Sequence, residues 1–164
     1  SVLDPTAGWG GRMLGAWALG IDYLGFDTNV NLKTAYDAME QKINSIKPAN
    51  VKMVYESCLD QDFSSLDYDF VLTSPPYINL EMYEHMDAWD GPEDFYRNFF
   101  LPLWEECYDN LSSGHICFNI SPKMYDEAIQ FGLSPAHSEE DLKQQLGQQK
   151  NTNKLQDKIY IWSK

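Results

Sequence analysis

"VLDPTAGWGGRMLGAWAL", residues 2–19, decides the fold. Val2-Leu3-Asp4 is a short apolar run closed by an acid, the pattern of a core strand. Gly8, Gly10 and Gly11 then permit a tight turn and close approach of the backbone to a ligand. Gly11 to Leu19 reads as a helix whose N-terminus lies behind those glycines. A strand that hands over to a helix through a glycine loop is the opening unit of an open α/β sheet.

The alternation continues outward. Tyr23 to Phe26 predicts a strand ending at Asp27. Asn29 to Ile46 predicts a helix, with Leu32, Ala35, Tyr36, Met39 and Ile43 at spacings of three and four. Pro48-Ala49-Asn50 turns the chain into a strand from Val51 to Tyr55. Leu59 to Leu66 connects this to a strand over Phe70 to Thr73, where "TSPPY" (residues 73–77) stops it. Neither proline can donate to a sheet ladder, so a rigid loop follows. Gly91-Pro92 opens another helix with an apolar stripe of Phe95, Phe99, Leu103, Trp104, Cys107 and Leu111, kinked at Pro102. Ser113-Gly114 ends it; His115 to Ile120 is a strand, Met124 to Phe131 a helix, and Lys158 to Trp162 a final strand. The prediction is a single α/β domain over residues 1–164, doubly wound and mostly parallel.

Bulk properties narrow the classes. A 164-residue chain with 43% hydrophobic residues can bury one good core. No apolar run approaches the ~18 residues of a membrane span, and no secretory signal is present. Cys58, Cys107 and Cys117 lack CxxC spacing, which predicts reduced thiols in a cytoplasmic protein and no metal site. The chain begins inside a strand, which predicts a longer or trimmed polypeptide.

The net charge of −13 is localised. Residues 55–110 carry fourteen acids against the single base Arg97, and the flanking segments are balanced. Such a segment repels phosphate. Lys143, Lys150, Lys154, Lys158 and Lys164 offer a partial counterweight for a nucleic-acid partner.

In open α/β sheets, ligands bind beyond the carboxyl ends of the strands. Three elements fall there before the SPPY loop: the glycine loop "DPTAGWGG" (residues 4–11), Asp27 with Thr28, and the Ser57-Cys58 corner. Asp27 stands where an acid takes a ribose diol, and the Ser57-Cys58 corner where an adenine edge would lie. The dinucleotide fingerprint GxGxxG fails at Met13, and no GK[ST] is present. A nucleoside carrying a positive charge suits the remaining pattern, and S-adenosylmethionine is one. Two roles stand open for Asp4: a partner of that ligand's ammonium end, or a cap on the glycine loop. Trp9 either covers the cofactor or packs.

"VLDPTAGWGGR" and "TSPPY" resemble motifs I and IV of the S-adenosylmethionine-dependent amino methyltransferases that modify cytosine N4 or adenine N6 in DNA. The resemblance implies a Rossmann-like class I methyltransferase fold with a final antiparallel strand. It implies a cofactor site at Asp4, Pro5, Thr6, Ala7, Gly8, Gly10, Gly11, Asp27, Thr28, Ser57 and Cys58. It also assigns roles in the loop. Ser74 and the Pro75 carbonyl would accept the amino hydrogens of the target base, Pro76 would stiffen the loop, and Tyr77 would stack on a flipped base. Ser in the first position leans towards cytosine N4.

The chain departs from that family in lacking a segment before motif I and a basic target-recognition region. Target recognition would come from a partner chain or from flanking sequence, or sequence specificity would be absent. The loop from Ile78 to Gly91 is read as either a lid over the substrate or a packed surface loop. Two rivals stand: an enzyme methylating a protein glutamine amide, which the acidic surface would suit, and a methyltransferase fold kept as a binding module.

Overall fold

The computed structural model describes residues 1–78, 89–142 and 157–164. One seven-stranded sheet organises them, in the order β3-β2-β1-β4-β5-β7-β6. The strands are β1 (Val2–Asp4), β2 (Tyr23–Phe26), β3 (Val51–Val54), β4 (Phe70–Thr73), β5 (His115–Ile120), β6 (Ser138–Asp141) and β7 (Lys158–Ser163). β1 to β5 pair in parallel, and β7 runs antiparallel to both β5 and β6. This is the doubly wound sheet with an antiparallel strand that the sequence predicts.

Period-two alternation divides the core between the two faces of the sheet. Val2 and Tyr23 pack on one face with Met13, Ala16 and Tyr36, supplied by α1 (Gly11–Leu19) and α2 (Lys33–Ile46). Their strand neighbours Leu3, Phe26 and Val71 point to the other face, which holds the larger, aromatic cluster. Phe95, Tyr96, Phe100, Leu103, Phe118 and Trp162 belong to that second cluster and are almost completely buried. Both faces of the parallel strands are therefore covered, as parallel sheets require.

Four local differences from the sequence reading have physical causes. The helix predicted from Asn29 begins as a 3-10 turn, Val30–Leu32, because the Asn29 side chain accepts the Asn31 N–H at 3.1 Å. The helix predicted from Met124 starts earlier, as α5 (Pro122–Phe131), with Ser121 capping Met124 N–H at 3.2 Å and Pro122 at its first position. Pro102 does not simply kink its helix. α3 (Pro92–Phe95) and α4 (Leu101–Asn110) are joined by a π turn over Tyr96–Phe100. Strand β6, "SEED", is exposed throughout, alternates in nothing and pairs only with β7, so periodicity could not mark it.

The tail lysines within the described residues are engaged inside the protein. Lys158 bridges Glu139 at 2.5 Å and Asp141 at 3.4 Å, and Lys164 donates to the carbonyls of Tyr108 and Asp109. The expected counterweight to the acidic segment thus loses two of its members; Lys143, Lys150 and Lys154 lie outside the described residues. Among the described residues no helix is long and apolar enough to cross a membrane.

The start of β5 lies against the chain entering β4. A Cβ on Gly114 would stand 1.9 Å from the Asp69 carbonyl oxygen, and its φ of +132° is closed to most side chains. Gly114→Ala is expected to cost about 2–4 kcal/mol of stability, from strain plus a backbone clash. Urea unfolding checks this, and an unchanged midpoint would contradict the tight approach.

Candidate functional site

The site is assembled at the carboxyl ends of β1, β2, β3 and β4. Its foundation is Asp4, the last residue of β1, which has no exposed surface. Its Oδ2 accepts from Arg12 Nε at 2.6 Å and from Tyr23 Oη at 2.7 Å, and its Oδ1 accepts from Thr73 Oγ1 at 2.9 Å. Burial, and then the Asp4 charge, push the Tyr23 phenol far above its ordinary range, so it remains a donor. Arg12 also donates through Nη2 to the Thr6 carbonyl at 2.5 Å. The Asp4 carboxylate is fully buried and does not line the cavity described below.

The same network ties the glycine loop to the SPPY loop. Thr6 N–H donates to Thr73 Oγ1 at 3.2 Å, the two hydroxyls lie 2.6 Å apart, and Thr6 Oγ1 donates to the Ser74 carbonyl at 3.0 Å. Two loops far apart in sequence are thereby held in one register.

Asp27 is fixed from both sides. Gly8 N–H reaches its Oδ2 at 2.9 Å and Asn29 N–H its Oδ1 at 2.8 Å. Each oxygen keeps a lone pair for a further donor. Gly8 and Gly10 have φ of +62° and +84°. At Gly10 a Cβ would meet Met39 Cε at 2.7 Å and the Tyr36 ring at 3.1 Å, so α2 packs directly on the loop. Tyr36 Oη completes the clamp by donating to the Gly8 carbonyl at 2.9 Å.

These elements enclose a cavity of about 490 Å³, within the range of small-molecule sites. Of the predicted site residues, Pro5, Thr6, Ala7, Gly8, Gly11, Asp27, Thr28, Ser57, Cys58, Ser74 and Pro76 line it. Asp4, Gly10, Pro75 and Tyr77 do not. Gly10 and Pro75 are buried, and Tyr77 is half-buried against the aromatic core. Ser74 Oγ–H donates to the Asn119 carbonyl on β5 at 3.1 Å. Burial raises the Cys58 thiol to about 12, so this cavity residue is a neutral wall at physiological pH. Trp9 lines the cavity and is 78% exposed, so its ring covers an edge of the cavity and packs little.

Several lining residues had no assigned role in the sequence reading. Arg12 and Glu56 each adjoin a recognised motif, and that adjacency was the available signal. Phe99 was placed in a buried stripe by its spacing, Asn98 carried no signal, and Trp89 lies at the end of the segment read as a lid. Residues 79–88 of that segment are outside the described residues. Among the described residues, no group of three or more His, Cys, Asp or Glu could hold a metal ion.

No known protein family and no curated protein matches the sequence. Solved structures do match by shape. A Streptococcus mutans protein assigned as a methyltransferase, crystallised with S-adenosylhomocysteine, aligns with a TM-score of 0.60 at 13% identity, over 99% of this chain and 86% of its own. Magnesium protoporphyrin IX methyltransferase from Synechocystis PCC 6803, with bound S-adenosylmethionine, aligns at 0.59 and 14% identity, over 99% and 68%. An rRNA methylase from Streptococcus thermophilus aligns at 0.55 and 16% identity, over 99% and 85%. The fold is the Rossmann-like fold of methyltransferases. In this methyltransferase fold the cavity lies at the carboxyl ends of the parallel strands, where the sheet directs ligands.

Asp4→Ala is expected to destabilise the protein by about 3 kcal/mol, because it removes the partner of a largely enclosed guanidinium and of two buried hydroxyls. Asp4→Asn is expected to cost less. Thermal unfolding in the absence of ligand is the measurement, and a near-neutral Asp4→Ala would remove the network from its structural role.

Proposed function

We propose that this chain transfers a methyl group from S-adenosylmethionine to an exocyclic amino nitrogen of a base in DNA, with cytosine N4 slightly favoured over adenine N6. The observation that carries the reading is the state of Ser74. Its hydroxyl hydrogen is committed to the Asn119 carbonyl, which leaves its oxygen free to accept, and the residue lines the cavity together with Asp27 and the glycine loop. An acceptor held there suits an amino group, whose lone pair is delocalised into the base and must be drawn out.

The residues fit the cofactor. Asp27, pinned by two backbone N–H groups, keeps lone pairs for a ribose diol, and Thr28 lies beside it. Ser57 and the neutral Cys58 supply a wall for the adenine, and Gly8 and Gly11 let the backbone come close. S-adenosylmethionine, when bound, supplies an electrophilic methyl group. The protein supplies position. Ser74 accepts one amino hydrogen, and it is immobilised by Pro76 and by the Thr6 and Thr73 contacts behind it; Pro75, to which the resemblance gives the other hydrogen, is buried and does not line the cavity. Holding the nitrogen in a reactive orientation is the chain's main contribution to rate.

The alternative acceptor is a glutamine amide in a protein. The fourteen acids of residues 55–110 favour it, since they oppose a phosphate backbone. Labelled cofactor offered to DNA and to a protein extract decides between them. A retained fold without activity would label neither.

Two variants probe separate halves of the site. Asp27→Ala is expected to weaken S-adenosylmethionine binding by about 1.5–3 kcal/mol, the scale of a charge-assisted hydrogen bond. Equal affinity in calorimetry would remove Asp27 from the ribose role. Ser74→Ala is expected to leave cofactor affinity nearly unchanged while single-turnover rates fall about 10–1000-fold. A wild-type rate in that variant would refute the amino-nitrogen mechanism.

A further inference from the structure

The helix beside the cavity carries an irregularity with a cause and a consequence. Pro102 has no N–H to donate, and its ring crowds the carbonyl one turn back. The chain relaxes into the π turn, in which Leu101 N–H bonds the Tyr96 carbonyl five residues behind it. A regular helix would place Phe95, Phe99 and Leu103 on one buried stripe. The π turn instead sends Phe100 into the core, fully buried, and leaves Phe99 half-buried on the cavity wall beside Asn98.

Trp89 completes this wall. Its ring lies 5.2 Å from Phe99 and 4.8 Å from Phe95, and Phe95, with no exposed surface, braces both. Asn98 donates through Nδ2 to Asp94 at 2.5 Å, so its Oδ1 is the group left to offer a ligand. The loop aromatic Tyr77 packs on the core and does not line the cavity. Ser74 and Pro76 do line it, together with Trp89, Asn98 and Phe99.

We infer that Trp89 and Phe99 are the stacking surface for the acceptor, which is a planar, amino-bearing heterocycle of a single-stranded or flipped nucleic-acid base, with Asn98 accepting at its edge. This rests on the methyl-transfer reading of the cavity and narrows its substrate. A glutamine side chain has no π face and gains little from two aromatic rings, whereas any base does. The charges agree. Asp27 and Glu56 line the cavity, and Arg12, the one cation among its described lining residues, is paired with Asp4. An uncharged ring enters such a cavity more readily than a phosphate.

The test uses the protein saturated with S-adenosylhomocysteine and two single-stranded DNA oligonucleotides of equal length. One carries cytosine and adenine, and the other is abasic throughout. The wild type is expected to bind the base-bearing strand about 10-fold or more tightly than the abasic one. Trp89→Leu and Phe99→Leu, which keep apolar bulk without the ring, are expected to abolish that preference. Phe99→Tyr and Tyr77→Leu are expected to retain it. Equal binding of both strands by the wild type overturns the inference, as does a preference that survives in both Leu variants. Calorimetry of S-adenosylhomocysteine with each protein stands apart from this. Lost cofactor affinity in the wild type refutes the methyl-transfer reading, while unchanged affinity alongside absent base preference refutes only the aromatic wall.

Discussion

A single buried carboxylate sets the geometry on which the site depends. Asp4 ends the central strand and receives hydrogen bonds from α1, β2 and β4 through Arg12, Tyr23 and Thr73. A carboxylate without exposed surface is tolerable only when such donors replace its water. Once they do, three strands and the glycine loop share one fixed point. The Thr6–Thr73 contact then passes that constraint to the loop bearing Ser74. The two halves of the cavity, one built by the first strand and one by the fourth, are therefore aligned by interior chemistry before any ligand arrives.

What was legible in the sequence follows from how local its cause is. Strands β1, β4 and β5 declare themselves because apolar residues run together between turns, and β2, β3 and β7 because apolar and aromatic residues cluster in short runs bounded by turn signals. The glycine loop, Asp27 and Ser74 could be read because tight turns and strand-end positions leave marks in residue type. Asp4 was visible as a site residue, but its role was not, since that depends on Tyr23 and Thr73 arriving from elsewhere. Strand β6 was hidden, because "SEED" carries no apolar residue and is held by the backbone ladder to β7 and by the Lys158 bridges to Glu139 and Asp141. Phe99 packs beside Phe95 as its place in the apolar stripe predicts, but its place on the cavity wall was not legible, because helical spacing assumes a regular helix and the chain makes a π turn over Tyr96–Phe100.

The charge distribution bears on what the cavity can admit. The acidic middle segment contributes to the cavity itself, which Glu56 lines together with Asp27. That sign suits a cationic cofactor and a neutral ring. It opposes a phosphate chain, and the described tail lysines do not offset it, since Lys158 and Lys164 are committed internally. A nucleic-acid substrate would thus be held by its base more than by its backbone, with weaker dependence on salt than a basic binder shows.

The exposed strand β6 has a consequence for behaviour in concentrated solution. Among the described residues it forms the rim of the sheet, and an edge strand is a template on which another chain can add a strand. Glu139, Glu140 and Asp141 place three carboxylates along that rim against Lys158, which bridges two of them, so two copies approaching edge to edge carry like net charge and repel each other. This guard is purely electrostatic. At about 1 M salt the Debye length shrinks to roughly 3 Å, and the repulsion between facing rims largely vanishes. Salt would then favour self-association through the sheet edge while leaving the buried network around Asp4 almost untouched.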